Sequence, residues 1–146
     1  MENKLSRVSG KILPLIALVM SIYHLWQVLK PSMDPTLHMD IHLAFALTLV
    51  FLSAINVKDT THPRRALASQ LSSLVFLSAS LVSTAYIYIN FNDLVNRAGR
   101  YTGMDTFIGL IMILAVLEAT RRTYGLILPA LVTIALLYGR FGKIMP

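Results

Sequence analysis

The chain contains no cysteine, so disulfides and thiolate metal sites are excluded and composition says nothing about the redox compartment. Charge is scarce as well. Only 14% of the 146 residues are Asp, Glu, Lys or Arg, against about 25% in an ordinary globular chain. A water-soluble domain of this size must cover much of its surface with charge, and these residues are too few to do it. Also missing are a Gly-rich phosphate loop, a His-Glu-x-x-His pair and a Gly-x-Ser-x-Gly elbow. The absence of any such motif predicts a protein that is not an enzyme and holds no cofactor. What the chain has in quantity is apolar surface: 55% of its residues are hydrophobic, and long uncharged runs of them point to lipid as the solvent.

A lipid-facing backbone must satisfy its own hydrogen bonds, and a helix crossing roughly 30 Å of hydrocarbon needs about 20 residues. Five stretches meet or approach that length and predict an all-α membrane protein. The chain forms a single transmembrane helical domain over 1–146, with spans at about 12–29, 41–57, 66–92, 103–123 and 124–140. The first ends at Lys30-Pro31, carries Pro14 in its first turn, and offers no small-x-small cleavage site. It reads as a retained span rather than a signal peptide. The second stops at Lys58-Asp59, and Pro63 signals the start of the third. The fourth is short of charge-free residues and must recruit its flanks, with Arg121 and Arg122 snorkelling to the interface. Pro129 is expected to bend the fifth. Thr102 and Asp105, three apart, predict a capping box at the start of span four.

The net charge of +6 is distributed at the ends of these runs, not in a patch, so it indicates topology and lipid headgroups, with no nucleic-acid partner. Numbering the loops alternately, one side collects Lys4, Arg7, Lys11, Lys58, Arg64, Arg65, Arg121 and Arg122. The other collects Lys30, Arg97, Arg100, Arg140 and Lys143. The excess on the first side places the N-terminus in the cytoplasm and the C-terminus outside. Trp26, Tyr86, Tyr88, Tyr138 and Phe141 then fall near the outer interface. The segments Lys30–Asp40 and Phe91–Asp105 are outside loops, where Asp34, Asp40 and Asp93 are solvated or engage a partner.

Three groups of polar residues stand out within this apolar background. Span three carries Ser69, Ser73, Ser80 and Thr84 in pairs four apart, which share a helix face and predict close helix packing with hydroxyls bonding across it. Glu118 precedes Arg121 and Arg122 by three and four residues, so all three share one face as a self-neutralising cluster, either an interfacial anchor or a contact to a neighbouring membrane domain. His24 and His42 lie at the outer ends of spans one and two. They define the alternative of a small b-type haem protein, whose iron needs two imidazoles facing across a gap. His38 and His62 fall in loops.

From His42 onward the sequence resembles a known family. The residues that carry the likeness are His42-Leu43-Ala44-Phe45-Ala46-Leu47, Asn96-Arg97-Ala98-Gly99, Asp105 with Gly109, and above all Val116-Leu117-Glu118-Ala119-Thr120-Arg121-Arg122-Thr123-Tyr124-Gly125. It continues through Leu128-Pro129 and Leu137-Tyr138-Gly139-Arg140-Phe141-Gly142 to Met145-Pro146. This pattern looks like the small membrane portion of a tripartite ATP-independent periplasmic (TRAP) transporter of the TAXI subclass. The resemblance implies a four-helix small-subunit unit plus a connector helix, in a bacterial or archaeal inner membrane. It implies a large transport domain of about twelve spans as partner, fused or separate, and a periplasmic binding protein that delivers an organic acid for uptake with Na⁺ or H⁺. The chain is then a scaffold bracing the moving domain, with Glu118, Arg121 and Arg122 as the domain contact. A membrane protein scaffolding an unrelated complex is the remaining alternative.

Overall fold

The computed structural model describes the backbone of residues 4–56 and 63–141 and the side chains of 12–55 and 66–140. Among these the chain is entirely helical: α1 (Lys4–Leu29), α2 (Pro35–Asn56), α3 (Pro63–Ile89), α4 (Phe91–Asn96), α5 (Gly103–Tyr124) and α6 (Ile127–Phe141). Four of them, over Ile12–Leu29, Pro35–Ile55, Ala66–Ile89 and Gly103–Tyr124, are long and apolar enough to cross a membrane. This is a multi-pass helical membrane protein. The side chains of Lys4, Arg7, Lys11, Lys58, Arg64, Arg65 and Lys143, with His62, Phe141, Gly142, Met145 and Pro146, lie outside the described residues.

Helix boundaries follow local chemistry more closely than they follow charge. α2 begins at Pro35, six residues before the expected 41, because Asp34 caps it. One Asp34 carboxylate oxygen accepts the Thr36 N–H at 2.8 Å, and Pro35 occupies the first helical position, where its missing N–H costs nothing. The connection expected at 30–40 therefore shrinks, and His38 and Asp40 become helical. α3 starts on Pro63 as anticipated and breaks at Asn90, whose side-chain amide donates to the Tyr86 carbonyl at 2.9 Å. The last residues assigned to span three belong instead to the short helix α4, which lies within the expected loop 91–105. The capping box at Thr102 and Asp105 is present with both reciprocal bonds.

The two prolines exchange the roles expected of them. α1 begins at Lys4, so Pro14 sits inside it and removes one rung of the hydrogen-bond ladder. α6 begins at Ile127, after Gly125 leaves the helical region at φ 78° and ψ −162°. Pro129 thus falls in the first turn of α6, where it starts the helix and does not bend it.

Neighbouring helices pack in order, α1 on α2, α2 on α3, and α5 across both α2 and α3, while α6 touches the bundle through α5. The core lies where α2, α3 and α5 meet: Leu47, Phe51, Met112, Ala115 and Ala119 are buried, and Phe76 stacks on Phe51 at 5.7 Å. Alanines at 115 and 119 on α5 allow the close backbone approach that membrane helices use in place of a hydrophobic driving force. At about 1.5 Å per residue, the 22 residues of α5 are long enough to cross and the 15 of α6 fall short of the hydrocarbon thickness.

Candidate functional site

Polar side chains of the bundle form three clusters. The first is built on α5. Glu118 accepts from Arg121 through both carboxylate oxygens at 2.7 and 2.8 Å, and from Arg122 Nε at 2.7 Å. The helical spacing of three and four residues produces this grouping. The two arginines then diverge. Arg121 keeps half of its side chain exposed, whereas that of Arg122 is only 12% exposed. Arg122 turns inward and donates to the hydroxyls of Ser73 and, at 2.8 Å, Ser72 on α3. Its guanidinium also lies over the Phe51 ring of α2, 5.4 Å from the centroid. One side chain thus joins α2, α3 and α5.

The remaining serines of α3 behave differently from expectation. Ser73, Ser80 and Ser83 are fully buried, but their hydroxyls bond carbonyls one turn back on their own helix, at Ser69, Leu77 and Ala79. They act as small residues that admit a neighbour, and the serine hydroxyls bonded from another helix are Ser72 and Ser73, both by Arg122. Of the four residues expected at the packing face, Ser73 and Ser80 lie at its centre and Ser69 is exposed. Thr84 is partly buried with its hydroxyl unpartnered. Ser83 belongs to the same face; its spacing of three from Ser80 is as helical as a spacing of four.

A second cluster closes the opposite end of the bundle. One oxygen of Asp105 accepts the Tyr86 hydroxyl of α3 at 2.6 Å and the Arg97 guanidinium at 3.0 Å. The other accepts the Thr102 N–H at 2.8 Å. The carboxylate is 4% exposed, so the capping residue is also the counter-ion of Arg97. Gly99, at φ 83°, provides the turn that folds the segment after α4 back towards α5. Sequence reasoning found the cap and missed the ion pair, since Arg97 and Asp105 come together through that turn. Tyr86, expected near the outer interface, commits its hydroxyl to Asp105.

The third cluster joins α1 to α2. His42 Nδ1 lies 2.8 Å from His24 Nε2, and His24 Nδ1 lies 2.7 Å from the Met20 carbonyl oxygen. Tyr23 and His38 share a hydrogen bond of 3.1 Å. Two imidazole nitrogens flanking one metal across a gap are separated by about 4 Å, twice a metal–nitrogen bond of about 2 Å. His24 and His42 are bonded to each other instead, so this arrangement does not fit the haem alternative. Among the described residues no group of three or more histidines and carboxylates is placed to hold a metal ion.

The cavities are apolar. One of about 430 Å³ opens between the ends of α3, α4 and α5, lined by Tyr86, Ile87, Leu94, Tyr101, Ile108 and Gly109 among others. Another of about 350 Å³ lies between α1, α2 and α3. The first is edged by Tyr86, Asp105 and Thr106, whose polar atoms are bonded within the protein, and the second by Thr48 and Thr84. Chemically, the Asp105 carboxylate is a cross-link between helices, and that of Glu118 orients the arginine that makes the other one. Comparison with models of known protein families, with curated proteins and with solved structures finds no match to this chain. The likeness to TRAP transporters therefore rests on the residues quoted above.

Proposed function

We propose that this protein is a non-catalytic membrane scaffold of a TRAP-type secondary transporter, bracing a large transport domain and helping to dock a periplasmic binding protein that supplies an organic acid. The observation that carries the reading is the use made of the polar side chains. Arg122 and Asp105 are consumed in fixing one helix to another, Glu118 in holding Arg122 within α5, and the cavities are apolar grooves. That use of charge suits a protein that holds its shape. The motif around Glu118 supplies the family, and the short apolar α6, attached through α5, suits a connector to a further membrane domain. In this reading the half-exposed Arg121 is the outward member of its cluster and reaches the large domain. The N-terminus is cytoplasmic, and the segments 30–40 and 91–105 face the binding protein.

The test is purification of the tagged chain in mild detergent from cells that express it naturally, followed by mass spectrometry. Co-purification of a membrane protein of about twelve spans, or continuation of the reading frame into one, is the expected result. Substituting Glu118→Ala should weaken that assembly and lower organic-acid uptake. Recovery of the chain without such a partner, or unchanged assembly and uptake in the variant, overturns the proposal.

A further inference from the structure

The outer ends of α1 and α2 are joined by two imidazoles whose proton positions the surroundings decide. His24 Nδ1 faces the Met20 carbonyl at 2.7 Å. A carbonyl can only accept, so this nitrogen carries the hydrogen, and a neutral His24 presents Nε2 as an acceptor. His42 Nδ1, 2.8 Å from that atom, must then be the donor. Both tautomers follow from hydrogen-bond logic, and they leave His42 Nε2 as the open lone pair on an exposed residue.

This arrangement responds unequally to successive protons. A proton on His42 Nε2 leaves the Nδ1–H in place, still donating, and makes the bond to His24 charge-assisted and stronger. A proton on His24 Nε2 removes the acceptor. Two N–H groups then oppose each other, and two cations sit with ring centroids 4.9 Å apart. We propose that the His24–His42 pair is a pH-operated latch between the outer ends of α1 and α2, closed with no proton or one added and opened when both rings are charged.

The rest of α1 is suited to such a movement. Its main contact is with α2, Gln27 alone of its described residues is buried, and the cavity beside Ile16, Phe45 and Leu81 separates part of it from α3. The neighbouring titratable groups do not neutralise the pair. On α1, the Tyr23 ring lies 5.3 Å from His24; on α2, the His38 ring lies 5.2 Å from it and adds positive charge when protonated. Asp40 precedes His42 by two residues, about 200° around the helix, and so faces away. Lys30 and Asp34 are exposed in the connection between the helices. Asp105 of α5 is committed to Tyr86 and Arg97. Among the described residues no carboxylate pairs with either imidazole.

The absence of native cysteine makes the latch measurable. Spin labels at Trp26→Cys and Met39→Cys, both exposed positions, report the separation of the two outer ends by pulsed electron resonance in lipid nanodiscs. On acidification from about pH 8 to about pH 4.5, a longer-distance component should grow in, and His42→Gln in the same background should abolish its pH dependence. A distance distribution that does not change with pH, or an equal acid response in the His42→Gln protein, overturns the latch. A second measurement needs no labelled variant: ¹⁵N shifts of histidine-labelled wild-type protein at alkaline pH should show His24 protonated at Nδ1. Protonation at Nε2 instead refutes the mechanism directly.

Discussion

Replacing Arg122 by alanine tests the cross-link at the centre of the bundle. The wild-type side chain makes two hydrogen bonds to α3 hydroxyls, lies over Phe51 of α2, and pairs with Glu118. Hydrogen bonds between membrane helices contribute about 0.6 kcal/mol each, and a largely desolvated cation–π contact contributes about 1 kcal/mol or somewhat more. Glu118 keeps Arg121, so no carboxylate is left without a partner and no further penalty for an isolated charge arises. The expected loss is about 2 kcal/mol, close to a thirty-fold change in the folding equilibrium at 1.4 kcal/mol per tenfold. Reversible unfolding in bicelles by a titrated denaturing detergent, followed by far-UV circular dichroism, measures it. Arg122→Lys should recover less than half of the loss, because one ammonium cannot reproduce a fork that serves Glu118 and two serines together. Making Arg122→Ala in a Ser72→Ala, Ser73→Ala background should cost about 1 kcal/mol less than in wild type, the signature of direct coupling. An Arg122→Ala protein within about 0.5 kcal/mol of wild type, the ordinary range for an uninvolved surface site, refutes the cross-link.

Glu118→Ala should destabilise more than Arg122→Ala in the same assay, because it strands the buried guanidinium without its carboxylate; Arg121→Ala, at a half-exposed position, should be the mildest of the three. Ser83→Leu should cost about 1–3 kcal/mol by overpacking a site with no free surface, while Ser69→Leu, on the exposed side of α3, should be nearly neutral. Gly125→Ala forces a side chain into backbone angles reserved for glycine and should cost about 1–3 kcal/mol, with α6 more open to protease than in wild type. Labelling from outside intact spheroplasts with a membrane-impermeant maleimide should modify Asp93→Cys and spare Tyr124→Cys; the reverse pattern inverts the topology.

Sequence alone was enough to determine what kind of protein this is. Long uncharged runs limited by Lys30-Pro31, Pro63 and the Thr102–Asp105 box define helices of membrane length, because a lipid-facing backbone has no other way to satisfy its hydrogen bonds. The spacing of Glu118, Arg121 and Arg122 likewise determines that they meet, since a helix brings residues three and four apart onto one face whatever surrounds it. A local capping signal was present too: Asp34-Pro35 marks the start of α2, six residues before the expected 41.

Tertiary structure decided which way each of these residues faces. A soluble helix reveals its buried side by a polar stripe opposite, but these helices are apolar all round, and lipid and protein interior are equally good surroundings for leucine. Nothing in the sequence therefore says that Arg122 turns toward Ser72, Ser73 and Phe51 while Arg121 turns out. The same holds for the choice of Ser83 over Ser69 as a packing residue. The ion pair of Arg97 with Asp105 depends on the turn at Gly99, and the contact of His24 with His42 depends on the register of α1 against α2. Both are relations between segments that only packing brings together.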